Sequence, residues 1–224
     1  MCGRYTLSSP GDDVADLFAL DAVPEIHPRY NVAPTQEAAV VRQPEPKGPR
    51  RLDYLRWGLI PVWAKEAAIG NKLINARGET VAEKPSFKSS FKKKRCLVPA
   101  SGFYEWKAEG KGKQPYLIHR KDGKPFAIAG LWSAWKEPES GEWIETFTLL
   151  TTDPNEILQP IHNRMPVIVA PEDFPLWLDP ANEDLEALQA LIRPAPAEPF
   201  EAYPVSKVVN SPSNDSPACV ERVG

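Results

Sequence analysis

Twenty-five of the 224 residues are proline, about twice the usual share, and they are scattered along the chain. Each one fixes φ and removes a backbone donor, so long helices and long unbroken strands do not fit between them. The scatter predicts many short strands joined by rigid turns and argues against a helical bundle. The length suits one large domain or two small ones and is enough to bury a substantial core. No apolar run approaches the ~20 residues of a membrane helix. The first residues lack the basic-then-apolar plan of a secretion signal. Both point to a cytoplasmic protein with no membrane partner. The three cysteines, Cys2, Cys96 and Cys219, are odd in number, far apart and outside any CxxC pair. That argues against a disulfide framework and against a zinc site.

Local patterns fill in the elements. Ser9-Pro10 before Asp12 and Asp13 reads as a helix start with Ser9 as cap, and Val14, Leu17 and Phe18 form its buried face. Strands are expected over residues 52–57, 96–106, 115–120, 126–135, 144–151, 165–169 and 202–205. Lys111-Gly112 and Asp122-Gly123 supply turns between three of them. Residues 79–91 read as short helical pieces interrupted by Pro85. Asp179-Pro180 opens a helix with Leu185, Leu188, Leu191 and Ile192 on one face. With no repeat and no clear linker, this is one α+β domain over residues 1–224. Its sheet is mainly antiparallel, curled and barrel-like, with short flanking helices and a polar tail from about residue 210.

The net charge of −3 does not point to nucleic acid, but its distribution does. Residues 71–95 hold eight basic side chains against two acidic ones, whereas residues 171–201 are acidic with Arg193 the sole base. An acidic chain can carry a local basic groove, although Lys92, Lys93 and Lys94 also suit a plain solvated loop.

The sharpest chemical feature is MCGRY at the start. Once Met1 is trimmed, Cys2 becomes a 1,2-aminothiol, with amine and thiol reference pKa values near ~7.7–8.0 and ~8.5. The thiol can attack an acyl carbon with the amine as base. Alternatively, the amine condenses with an aldehyde and the thiol closes a thiazolidine ring, a product that only an N-terminal cysteine can form. Asn75 and Arg77 lie two residues apart in LINAR, so an extended chain aims both at one face. Glu105 sits among aromatics in SGFYEW, surroundings that raise a carboxylate's pKa and make it a proton donor, unless it lies on a wet edge strand. His162 is held between prolines in QPIHNRMP, whereas His27 and His119 read as surface or strand-filling residues. In WGLIPVW, Trp57 suits the core and Trp63 suits stacking on unpaired bases. NVAPT, which contains Pro34, is a short loop signal without chemistry of its own.

Taken in order, MCGRY, NVAPT, WGLIPVW, INARGET, SGFYEW, HNRMPVI and VSKVVN resemble the SOS response-associated peptidase family, the abasic-site-processing proteins, over nearly the whole chain. The resemblance implies binding of single-stranded DNA that carries an abasic site, and covalent capture of the sugar aldehyde by Cys2 as a thiazolidine. It implies that Asn75 holds the Cys2 amine or the sugar and that Glu105 moves protons. His162 would assist and be tied to crosslink reversal and strand cleavage. Arg4, Arg77 and Arg164 would hold phosphates, with Trp63, Gly3 and Pro34 also in the DNA interface. Met1 would leave by self-processing. No metal or organic cofactor is implied, and a monomer is expected, cytoplasmic and nucleoid-associated when bound to DNA. Ala64 stands where some members carry a second aromatic, leaving Trp63 alone or with Leu59 beside it.

Three other classes stay open on the residues. An N-terminal-nucleophile glutamine amidotransferase also begins Met-Cys-Gly, but no glutaminase arginine or asparagine-glycine motif is present. A cysteine peptidase acting in trans would pair Cys2 with His162. A non-catalytic single-strand binder would need Cys2 for nothing.

Overall fold

The computed structural model describes residues 2–224. Its strands are β1 (Tyr5–Leu7), β2 (Arg29–Val32), β3 (Glu37–Arg42), β4 (Arg51–Trp57), β5 (Asn75–Arg77), β6 (Arg95–Ala100) and β7 (Gly102–Glu109). They continue with β8 (Gly112–Arg120), β9 (Phe126–Lys136), β10 (Trp143–Thr152), β11 (Met165–Pro166), β12 (Ile168–Val169) and β13 (Phe200–Pro204). The helices are α1 (Gly11–Phe18), α2 (Lys88–Lys93), α3 (Phe174–Leu178) and α4 (Leu185–Ala190). Every element is short, as the scattered prolines require. None of the described helices is long and apolar enough to cross a membrane.

Five strands close into a barrel. β10 pairs with β9, β9 with β6, β6 with β3 and β3 with β4, all antiparallel. A parallel pairing of β4 with β10, Phe147 opposite Trp57, completes the ring. The second sheet has the order β13-β8-β7-β1-β2. Successive barrel residues serve different cores. Leu97, Ala129 and Leu131 pack with Phe18, Phe91, Phe174 and Trp177 of the helices. Cys96, Val98 and Ile128 pack with Cys2, Tyr5, Phe103 and Ile118 at the small sheet. Both faces of these strands are therefore buried, and they read as apolar runs without alternation.

The structure corrects several expectations. Residues 96–106 are not one strand. Ser101 breaks them, and the chain crosses from the barrel to the small sheet there. Its hydroxyl accepts from the Ser8 and Ser9 amides at 2.9 and 3.0 Å. Ser9 is bound to this corner through its hydroxyl, 2.7 Å from that of Ser101, and Pro10 stands at the cap position of α1 with no side-chain cap. The turn between β7 and β8 is Gly110-Lys111, with Gly110 at φ +55°, one residue earlier than expected. Residues 165–169 form two two-residue strands, and Asp184, which accepts from the Ala187 amide, caps α4 in place of Asp179-Pro180. The NVAPT stretch is not all loop, since Asn31 and Val32 end β2. The polar tail is packed: Asp215 binds β2, and Cys219 is fully buried.

Candidate active site

Cys2 lies just ahead of β1, at the seam between the small sheet and the barrel, and is fully buried. Burial, reinforced by the nearby Glu105 charge, pushes its thiol pKa far up, so the thiol stays protonated. Its sulfur lies 3.9 Å from the Arg4 carbonyl. All three cysteines are buried and free.

Three polar residues from distant parts of the chain meet there. Asn75 opens β5, which runs parallel to β10 with Leu149 opposite Asn75. Its Nδ2 donates to the Cys2 carbonyl at 2.8 Å. Its Oδ1 is buried and has no partner among the described residues. Ala76, on the other face of β5, anchors the strand in the core, which is why Asn75 and Arg77 share the opposite face.

Glu105 occupies the middle of β7 and is 1% exposed, so the wet-edge alternative does not hold. β8 flanks β7 on one side and β1 on the other, which keeps water away from the carboxyl. Burial raises its pKa to about 7, so near neutrality it is present in both protonation states. His162 sits in the turn after β10. Its Nδ1 accepts from the Arg164 amide at 3.1 Å, which puts the proton of the neutral ring on Nε2. That nitrogen lies 3.7 Å from Glu105 Oε2. Burial lowers the pKa of the imidazole, so it is mainly neutral at pH 7. A carboxyl pushed up beside an imidazole pushed down makes a pair that can pass a proton in either direction.

The predicted DNA contacts separate into two groups. Arg77 is exposed, and Trp63 is 54% exposed with its indole N–H 3.4 Å from the Pro85 carbonyl. Arg4 and Arg164 are already engaged. Arg4 donates to the carbonyls of Val209 and Asn210 and to Asn31 Oδ1. Arg164 grips both oxygens of Glu79 and also meets Asp153 and the Thr151 carbonyl. Gly3 and Pro34 are half-buried. Leu59 is fully buried in the helix-covered core and cannot stand in for a second aromatic. Ala64 is held from below by Trp135, whose Nε1 donates to the Ala64 carbonyl at 2.8 Å.

The loop carrying Trp63 is pinned by a close backbone approach. Gly58 has φ +129°, and a Cβ there would meet the Gly70 carbonyl oxygen at 2.6 Å, so only glycine fits. An open depression of about 460 Å³ lies beside Trp63, lined by Ala64, Lys65, Glu66, Ala68, Ile69 and Lys72. Sequence reasoning missed Asn31, which is fully buried and bonded through its whole amide. A polar residue between apolar strand positions was the available signal. Removal of Met1 concerns a residue outside the described ones.

The fold and site together define a small α+β protein in which Asn75, Glu105 and His162 gather around a buried cysteine ahead of the first strand. A family model described as "SOS response associated peptidase (SRAP)" matches residues 1–212, and the chain belongs to that family. It is 48% identical to "Abasic site processing protein YoqW" of Bacillus subtilis, with 99% of each chain covered. It is 33% identical to "Abasic site processing protein YedK" of Escherichia coli, with 100% of each covered. Among solved structures, a protein from Bacteroides thetaiotaomicron superposes with a TM-score of 0.87 at 29% identity, over 99% of this chain and 100% of that one.

Proposed function

We propose that this protein processes abasic sites in single-stranded DNA by capturing them covalently on Cys2. The observation that carries the reading is the convergence of Asn75, Glu105 and His162 on Cys2 within one water-poor seam. The names of the relatives agree with abasic sites as the substrate class.

Hydrolysis of the Met1–Cys2 bond frees the Cys2 amine. The amine attacks the aldehyde carbon of the ring-opened sugar to give a carbinolamine. Loss of water, with Glu105 supplying the proton, leaves the imine. The thiol then adds across C=N: sulfur bonds to carbon, its proton passes to nitrogen, and the five-membered ring closes. This order suits a thiol held protonated by burial, because the amine must act first. Asn75 fixes Cys2 through its carbonyl and offers Oδ1 to the amine or to a sugar hydroxyl. His162, as the proton partner of Glu105, serves reversal and strand cleavage.

An abasic nucleotide has no base to read, so affinity comes from phosphate contacts and stacking. Arg77 and Trp63 are the exposed groups for this, with Lys84, Lys88, Lys92 and Lys93 exposed farther along the basic stretch. Arg4 and Arg164 already donate through their terminal nitrogens to protein acceptors, so a phosphate there would compete with those contacts. A cysteine peptidase acting in trans is less well supported, because His162 Nε2 faces Glu105 and the thiol stays protonated. The test is Cys2→Ser with an abasic-site oligonucleotide. The serine variant forms an imine that borohydride reduces but no heat-stable adduct; an equally heat-stable adduct would rule out the ring.

A further inference from the structure

The outer face of the small sheet carries contacts that the capture chemistry does not use. Tyr104, Leu117, Val205, Val209 and Cys219 form a small core there. Both chain neighbours of Glu105 are tied to that face. Tyr104 Oη donates to the Tyr30 carbonyl at 2.6 Å, and Trp106 Nε1 donates to Asn210 Oδ1 at 2.8 Å. Alternation along β7 puts Glu105 on the opposite, inner face.

Arg4 reaches the same outer face. Its Nη1 donates to the Val209 carbonyl at 2.7 Å and to Asn31 Oδ1 at 3.1 Å. Asn31 Nδ2 in turn donates to the carbonyls of Val209, Ser211 and Asn214. Asp215 completes the set. Its Oδ1 accepts from the Tyr30 and Asn31 amides at 2.5 and 3.0 Å, and its Oδ2 pairs with Arg29. β2 is the edge strand of its sheet, so Asp215 takes backbone donors that an edge leaves open. The Arg4 carbonyl accepts from the Tyr104 amide at 3.0 Å and lies beside the Cys2 sulfur. Asn214 and Asp215 lie beyond residue 212, where the family match ends.

We propose that Asp215 is a positioning residue for the Cys2 site. Through β2, Asn31 and Arg4 it holds the start of β1 against β7, and so sets Cys2 relative to Glu105. The proposal rests on the reading of Cys2 as the capturing residue. A misplacement of about 1 Å in such a pair costs roughly 100-fold in rate.

The test compares the unsubstituted protein with Asp215→Ala and Asp215→Asn, full-length and untagged. One readout is the single-turnover rate of capture at saturating abasic-site oligonucleotide. The other needs no DNA: the rate at which iodoacetamide labels Cys2, read by peptide mass. Asp215→Ala is expected to capture roughly 10-fold or more slowly and to label Cys2 faster. Its single-strand affinity, measured in a Cys2→Ala background, should stay within about twofold. Asp215→Asn keeps the Oδ1 acceptor and should restore most of the capture rate. A folded Asp215→Ala variant with capture and labelling both unchanged would overturn the proposal. Should that variant not fold, Asp215→Glu, which keeps the charge but displaces the contact, is read the same way: slower capture is expected, and unchanged rates overturn the proposal. If the unsubstituted protein forms no adduct, the capture reading fails, while the labelling rates still decide whether Asp215 positions Cys2.

Discussion

The side-chain amide of Asn75 donates to the backbone carbonyl of Cys2 at 2.8 Å, joining the first strand of β-structure after the Trp63 loop to the start of the chain. The bond holds the main chain of Cys2 through its carbonyl and involves neither its nitrogen nor its sulfur. Asn75→Ala is expected to cost only about 0.5–1.5 kcal/mol of stability, the net worth of one hydrogen bond. Capture should slow far more, by roughly 10- to 100-fold, because the loss is one of alignment. Thermal melts and single-turnover crosslinking on the same sample separate the two effects. Capture unchanged in a variant of lowered stability would make Asn75 a structural residue only.

Glu105 makes stability depend on pH in a defined direction. Its folded pKa is raised to about 7 by burial, above the ordinary carboxyl value of 4.5. Between those two values the folded protein keeps a proton that the unfolded chain has released. Stability therefore falls as pH rises from about 4.5 to about 7 and levels off above. Glu105→Gln carries no such dependence. It should match the parent near pH 4 and exceed it at pH 8 by on the order of 3 kcal/mol. Denaturant melts at both values check this; a glutamine variant less stable at pH 8 would mean that the buried carboxylate is well paired.

Arg77 and Arg164 should behave differently although both are arginines beside the site. Arg77 is exposed, so Arg77→Ala is expected to weaken single-strand binding across sequences and to reduce the salt slope by about 1. Arg164 is bound to Glu79 and Asp153, and its partnership holds the Glu79 pKa down. Arg164→Ala should therefore lower stability and disturb the His162 turn. Binding isotherms at several salt concentrations, alongside melts, distinguish them. A reduced salt slope for Arg164→Ala at unchanged stability would assign it to phosphate.

Arg95 holds the helical side of the barrel together. It is 3% exposed, and its five donors go to the carbonyls of Phe91, Lys92, Trp177, Asp179 and Asn182. It thereby closes the C-terminal end of α2 and ties it to α3. Arg95→Met should cost roughly 3–5 kcal/mol, since it strands buried carbonyls. Arg95→Lys should recover little, because an ammonium brings three donors against five acceptors. Chemical denaturation measures both; a lysine variant as stable as the parent would contradict this.

The sequence announced much of this molecule, and for identifiable reasons. β9 was legible as an apolar run with aromatics that follows the Asp122-Gly123 turn, and β10 as a run rich in threonine and aromatics. Trp57 was legible as core, and it stacks on Phe147. β3 was not found, because Glu-Ala-Ala-Val-Val-Arg is buried on both faces and shows no alternation. The crossing at Ser101 was missed because apolar residues flank it on both sides; Ser101-Gly102 was the one local signal of a break. Cys2, Glu105 and His162 stood out by residue type, but no spacing rule brings them together. Their meeting depends on β1 and β7 being neighbours, a long-range pairing. Asp215 looked like part of a loose tail because its partners are backbone amides 184 and 185 positions away.

The central claim is tested most directly by mixing the untagged protein with a single-stranded oligonucleotide that carries one abasic site, then running a denaturing gel and intact-mass analysis on the same sample. The account predicts a band that survives boiling. Its mass should equal the chain without Met1 plus the oligonucleotide minus one water, and Cys2→Ala should abolish it. A protein with a free N-terminal Cys2 and no such adduct would contradict the account.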